Sequence, residues 1–221
     1  MGLKDELFQS TIESLERILG LLSGADKSKH IAEAEKTIDI AYQKFTGADA
    51  FLFKSLGSEE LIDILSTNNS LDREKAFVLG VLFKADAELA VAKNNSNAIL
   101  LKIKALDLLI EAALELDVDN ANPYIEQLKE ELGDYNLPDK TQDRLFEYDR
   151  VWGNYADAED RLFDFLANRG ASQELLILVR EFYAGLKEKT KEDLERGGLP
   201  FEELDEGLNA FEEQFKTYKT S

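Results

Sequence analysis

The chain has no cysteine, one histidine, one methionine, one tryptophan and only three prolines in 221 residues. Without thiols there is neither a disulfide framework nor a thiolate nucleophile, and a single histidine cannot complete the usual ligand sets for zinc. Positive charge is scarce as well: 26 Lys and Arg face 45 Asp and Glu, a net charge of −19. A chain this acidic is repelled by phosphate backbones and anionic headgroups, so nucleic acid and membrane surfaces are excluded as partners on electrostatic grounds. No window reaches 18 uncharged apolar residues, and the opening Met1-Gly2-Leu3-Lys4-Asp5-Glu6 carries acids where a secretory leader carries cations. Met1-Gly2 resembles a myristoylation start, but Glu6 stands where Ser or Thr is required. These features predict a cytoplasmic protein. What is present is an apolar fraction of 44% with 10% aromatics. That is too hydrophobic for disorder and enough for a self-sufficient core.

Helical periodicity runs through nearly the whole chain, and no period-2 alternation of strand length interrupts it, so the fold class is all-α. Phe8, Ile12, Leu15, Leu19 and Leu22 recur at alternating spacings of four and three, with Ser23-Gly24 closing the helix. Ile31, Ala34, Ile38, Ala41 and Phe45 form the next stripe, ended by Thr46-Gly47. A short helix is expected after Ser58, whose hydroxyl is placed to cap it, and Asn68-Asn69-Ser70 breaks the chain before a helix from about Leu71 to Lys93. The segments 76–92 and 98–116 are apolar around most of their circumference, which marks them as inner elements. In the second, Lys104, Asp107, Glu111 and Glu115 make one narrow polar stripe. Lys102 lies opposite that stripe and must snorkel out or meet a carboxylate. The Asn94–Asn97 turn pairs the two as an antiparallel hairpin. Pro123 starts a helix to Leu132, and further helices are expected near 139–152, 155–168, 173–188 and 201–217, separated by glycines. The last carries Phe201, Leu204, Leu208, Phe211 and Phe215 on one stripe. About nine to ten helices are expected in a single domain over 1–221. Its N-terminal sub-region, 1–133, joins the C-terminal one, 138–221, at Gly133–Pro138.

Paired helices with short turns invite a search for a helical repeat. A small residue, an apolar one four later and a small one three later let adjacent helices approach closely. Ala34/Ile38/Ala41, Ala105/Leu109/Ala112 and Ala158/Leu162/Phe165 fit that form, with Phe165 in place of the second Ala. Leu79-Gly80 matches the small-residue position of a first helix. The steps between the three segments are uneven, and no consensus Trp opens a unit. A tetratricopeptide-like superhelix or right-handed array of hairpins, and a plain helical bundle, both fit.

The order of elements resembles a bacterial family of helical, tetratricopeptide-like proteins of unestablished function. The resemblance rests on the helix from Glu6-Leu7-Phe8 to Leu22, the Ala34 helix with Phe45-Thr46-Gly47 and the Ser58-Glu59-Glu60-Leu61 helix. Asp72-Arg73-Glu74-Lys75-Ala76 and Gly153-Asn154-Tyr155-Ala156-Asp157-Ala158-Glu159 complete it. It covers about residues 5–170. It implies the fold and protein binding, and brings no catalytic residues with it.

Motifs for chemistry are missing. There is no Gly-rich phosphate loop. Asp117-Val118-Asp119 opens like a calcium loop, but Ala121, Asn122 and Leu128 occupy the positions of the third ligand, the turn glycine and the bidentate acid. His30 has no nucleophile or metal-ligand companion and reads as a surface residue. Glu59/Glu60/Asp63, Glu130/Glu131/Asp134 and Glu202/Glu203/Glu206 have the spacing by which all-helical magnesium-dependent nucleotide pyrophosphatases hold metal, at the frequency chance allows in so acidic a chain. Phe146, Tyr148, Trp152 and Tyr155 form either an aromatic peptide groove or, as preferred, the core of the hairpin around Gly153.

Charge is segregated. Residues 105–138 hold nine acids and one base, and residues 192–213 again nine acids and one base. These blocks are either solvated faces or docking surfaces for a basic segment. The expectation is a non-enzymatic protein-interaction scaffold or adaptor with no catalytic, cofactor or metal residues, binding a protein or peptide. The candidate docking carboxylates are Glu126, Glu130, Glu131, Glu202, Glu203 and Glu206. Alternatives are an acidic nucleic-acid-mimic inhibitor and the magnesium-dependent hydrolase. Self-association through the outer stripes leaves the oligomeric state open.

Overall fold

A computed structural model describes residues 3–24, 26–46, 50–68, 70–114 and 121–220. Met1-Gly2, Gly47, Asn69, Glu115 and the Asp117–Asp119 segment, all singled out above, lie outside the described residues. Twelve α-helices are present among the described residues: α1 (Leu3–Ser23), α2 (Ile31–Thr46), α3 (Ala50–Ser55), α4 (Ser58–Leu65), α5 (Arg73–Ala92), α6 (Ala98–Ala113), α7 (Asn122–Leu132), α8 (Asp139–Trp152), α9 (Tyr155–Arg169), α10 (Gln173–Leu186), α11 (Lys191–Arg196) and α12 (Leu204–Thr220). The fold class is all-α, with packing consistent with a hairpin array. The two helices beyond expectation, α3 and α11, have six residues each. Fewer than two turns cannot display a 3.6-residue stripe. Two residue pairs, Ser66↔Leu71 and Thr67↔Ser70, make a minimal antiparallel ladder before α5, turned by Asn68 at φ 52°.

The chain divides into two compact units, residues 1–141 and 142–221. In the first, α5 and α6 are the inner pair: α1 and α2 pack on α5, α7 packs on α6, and α4 touches both. α5 starts at Asp72, whose side chain accepts from Lys75 N at 3.1 Å. The hairpin turn is set by Asn94 at φ 53° and by Asn95 Oδ1 accepting from Asn97 N at 3.0 Å. Asn tolerates the left-handed region better than most residues, which suits it to this position. Three sequence expectations shift. The buried line of α1 is Thr11, Leu15, Ile18 and Leu22, while Phe8, Ile12 and Leu19 flank it half-buried. The N-cap of α4 is Gly57 rather than Ser58, with Glu60 Oε2 reaching back to Gly57 N at 2.7 Å. Of the polar stripe of α6, Lys104 and Asp107 are buried and Glu111 is half-buried. Lys104 Nζ donates to the carbonyl of Lys54 at 2.7 Å, at the end of α3.

In the second unit, Phe146, Leu162, Phe165, Val179, Phe182, Leu194, Phe211 and Phe215 belong to one core. Asp149, fully buried, organises the α8–α9 turn, its carboxylate accepting from Arg161 Nε at 2.8 Å and Asn154 Nδ2 at 3.2 Å. Gly153 takes φ +83° there, a conformation costly for any residue with a β-carbon. Phe146, Tyr148 and Tyr155 are buried, as the core reading expects, and Trp152 is half-buried with its ring 6.1 Å from that of Tyr148. Phe201 leaves the α12 stripe. It sits in a 3-10 turn, Phe201–Glu203, with 43% of its surface exposed.

Candidate functional site

The six docking candidates fall in separate places. On α7, Glu126 and Glu130 are exposed, and Lys129 Nζ stands 3.3 Å from Glu126 Oε2. Glu131 turns inward, where Lys102 Nζ meets its Oε2 at 2.6 Å. In the second unit Glu202 accepts from Lys191 Nζ at 2.6 Å, while Glu203 and Glu206 are exposed and make no ion pair among the described residues. Other acids of the 192–213 block are also met by bases from α10 and its C-cap: Lys187 Nζ reaches Asp205 at 2.6 Å, and Arg180 holds Glu212 at 2.7 Å. Exposed pairs of this kind contribute little stability, but they cancel much of the charge that the block offers to a partner.

The inward turn of Glu131 builds a four-charge cluster across α5, α6 and α7. Lys102 is buried and bridges Glu131 and Glu88, with Glu88 Oε1 at 3.4 Å. This is the carboxylate partner its position on α6 demands. Lys84 of α5, 2% exposed, has Glu131 Oε1 at 3.6 Å and no hydrogen bond to Nζ among the described residues. Burial pulls the Lys84 ammonium below its ordinary value against the pull of Glu131 and Glu88. For Lys102 burial acts in the same sense, but the close carboxylates of Glu131 and Glu88 outweigh it and the value is raised. Two cations and two anions compensate one another here, so the cluster ties three helices together and presents no net charge to a ligand.

Several carboxylates of the triplets are engaged in local structure. Glu60 closes the α4 cap, Glu59 accepts from Lys140 Nζ at 2.9 Å, and Glu131 is internal. No group of three or more His, Cys, Asp or Glu side chains among the described residues is placed to hold a metal ion. His30 Nδ1 lies 3.7 Å from Glu33 Oε2 on a half-exposed helix start. No helix among the described residues is long and apolar enough to cross a membrane.

A concave site does exist in the second unit. A groove of about 620 Å³ is lined by α8, the first residue of α9 and α10. Its apolar floor is Phe146, Tyr155, Phe182 and Leu186, all buried, and Val151 stands on its edge with 52% of its surface exposed. Glu147, Arg150, Glu181, Glu188 and Lys189 supply the charge, with Glu147 and Arg150 bonded to each other at 2.6 Å. An apolar floor with a polar margin suits the insertion of side chains from another molecule. Phe146 and Tyr155 were legible as an aromatic cluster, whereas Val151, Glu181 and Glu188 carry no sequence signal until the uncovered faces of α8 and α10 are known.

No curated protein and no solved structure gives a significant match to the chain. A family model matches residues 3–216, almost the whole length. The chain therefore belongs to that family, which is described as a family of unknown function, DUF6483.

Proposed function

We propose that the chain is a non-enzymatic, cytoplasmic interaction protein, a scaffold or adaptor whose C-terminal unit receives a segment of another protein. The groove between α8 and α10 carries this reading, because it joins a buried aromatic floor to an exposed apolar edge at Val151. A tetratricopeptide-like hairpin array is part of the proposal. Ala34, Ile38 and Ala41 on α2, Ala105, Leu109 and Ala112 on α6, and Ala158, Leu162 and Phe165 on α9 are all buried, which supports small-residue contacts between neighbouring helices. The bacterial origin implied by the resemblance belongs to the same reading. A nucleic-acid mimic is disfavoured by the ion pairs at Glu202, Asp205 and Glu212, since a mimic needs its carboxylates free.

The test compares wild type with Val151→Asp, which places a charge on the groove edge without touching the core. Each is used as bait in native lysate, with captured proteins identified by mass spectrometry. A protein retained by wild type and lost from the variant supports the reading. Identical captures contradict it, and so does magnesium-dependent nucleotide hydrolysis by the purified chain.

A further inference from the structure

Gly185 lies in the last turn of α10, on the groove face with Leu178, Glu181 and Phe182. Two ordinary reasons for a glycine fail here. It does not use a positive φ, unlike Gly153, Gly170 and Gly198, and a β-carbon built on it meets nothing within 4 Å. Glycine is disfavoured in helices relative to alanine, so neither backbone geometry nor internal packing accounts for this residue. A missing side chain at the centre of a groove allows a second backbone to come close.

The charges around it are ordered. Glu181 stands one turn before Gly185, and Glu188 one turn after it, on a turn that continues the winding of α10 through Glu188 N donating to Gly185 O at 3.3 Å. Both acids are exposed. Seven residues of helical winding separate them, about 10 Å along the axis. Helices that pack nearly parallel keep a seven-residue register with each other. Arg150 is already held by Glu147, and of the remaining charged lining residues Glu181 and Glu188 outnumber Lys189, so this face is net acidic.

We infer that the occupant of this groove is a basic amphipathic helix of a partner protein, crossing α10 closely at Gly185 and placing two cationic side chains, seven residues apart, on Glu181 and Glu188. This rests on the groove being a protein-docking site and adds the chemistry of the partner. Apolar side chains of the same helix, beside the close approach, enter the space over Phe146 and Phe182.

The test uses the whole chain and a displayed library of single helices randomised on one face. Clones are selected on wild type and counter-selected on Gly185→Leu, whose added side chain points into open space and does not lower the thermal unfolding temperature. The expected clones carry Lys or Arg at two positions seven apart, with a small residue between. Their binding falls at least tenfold for the Glu181→Gln, Glu188→Gln double variant and weakens with salt. Clones that depend on Gly185 but show no enrichment of basic residues overturn the inference and leave the docking site standing. A selection yielding no Gly185-dependent clone overturns both. Light scattering that shows a dimer of the chain dissociated by Gly185→Leu makes a second copy the occupant, which also overturns it.

Discussion

Gly80 of α5 faces Leu109 of α6 so closely that a β-carbon at Gly80 would stand 2.7 Å from Leu109 Cγ and 3.3 Å from the carbonyl of Ala105. The closeness of the central hairpin therefore depends on one absent methyl group. Gly80→Ala should lower stability by about 1–3 kcal/mol, even though alanine is the better helix former, because overpacking outweighs propensity at such a contact. Adding Leu109→Ala should relieve part of that loss, so the double variant should be less destabilised than the sum of the singles. Urea midpoints of the four proteins check this.

The two buried lysines should respond differently to the same substitution. Lys102→Met leaves Glu131 and Glu88 inside without their main partner and should cost about 3 kcal/mol. Lys84→Met also leaves the cluster one negative charge in excess, but its ammonium stands farther from Glu131, at 3.6 Å, and makes no hydrogen bond among the described residues, so the loss should be smaller, about 1–2 kcal/mol. Equal losses in denaturant titrations would contradict this division of roles.

Acid should act through Glu131. Burial pushes its carboxyl up, but the ion pair with Lys102 and the charge of Lys84 more than offset that and hold it below the ordinary value. A group whose folded pKa is depressed contributes stability that is fully present above its unfolded value and is lost as pH falls through the folded one. The stability difference between wild type and Glu131→Gln should be constant near neutrality and close as pH drops below the ordinary carboxylate range. A difference that persists unchanged into acid would show that the contribution is not electrostatic.

At the groove the sign is opposite to that at Gly80. Gly185→Ala adds a methyl group into open space on a helix and should raise stability by about 0.5 kcal/mol. Calorimetry that shows a loss instead would mean that an internal contact requires the glycine.

Gly207 marks a third situation. Its β-carbon would lie 2.5 Å from Tyr183 Oη and closer still to Glu159 Oε1, two atoms that hydrogen-bond each other between α10 and α9. Gly207→Ala should cost about 1–3 kcal/mol, read as a lowered urea midpoint, since it separates a half-buried carboxyl from its donor. An unchanged midpoint would show that α12 can shift to absorb the methyl group.

How much of this the sequence disclosed depended on whether the deciding contact was local. The burial of α5 and α6 was legible because their apolar residues surround the helix, and Lys102 on such a face had either to snorkel out or to meet a carboxylate, of which the structure shows the second. The Gly153 turn was legible from local backbone chemistry, and the start of α5 was expected near Leu71, one residue before the Asp72 cap. The burial of Lys104 and Asp107 was not: Lys104 is covered through its bond to the carbonyl of Lys54 at the end of α3, distant in sequence. Ser58 looked like a cap, and the neighbouring Gly57 took the position because Glu60 reaches back to its amide. Charge counting located two acidic blocks but could not reveal that Arg180 of α10, Lys187 just after it and Lys191 of α11 would meet the second of them. The groove escaped for the same reason: it exists where α8 and α10 leave faces uncovered, which no periodicity encodes.

The central claim is that this groove holds a partner, and side-chain footprinting by hydroxyl radicals on the chain with its captured partner tests it most directly. Val151, now 52% exposed, should lose most of its reactivity in the complex, together with Leu178 on the facing helix, while exposed Tyr135 in the first unit keeps its own. Full reactivity at Val151 and Leu178 in a saturated complex would contradict the account.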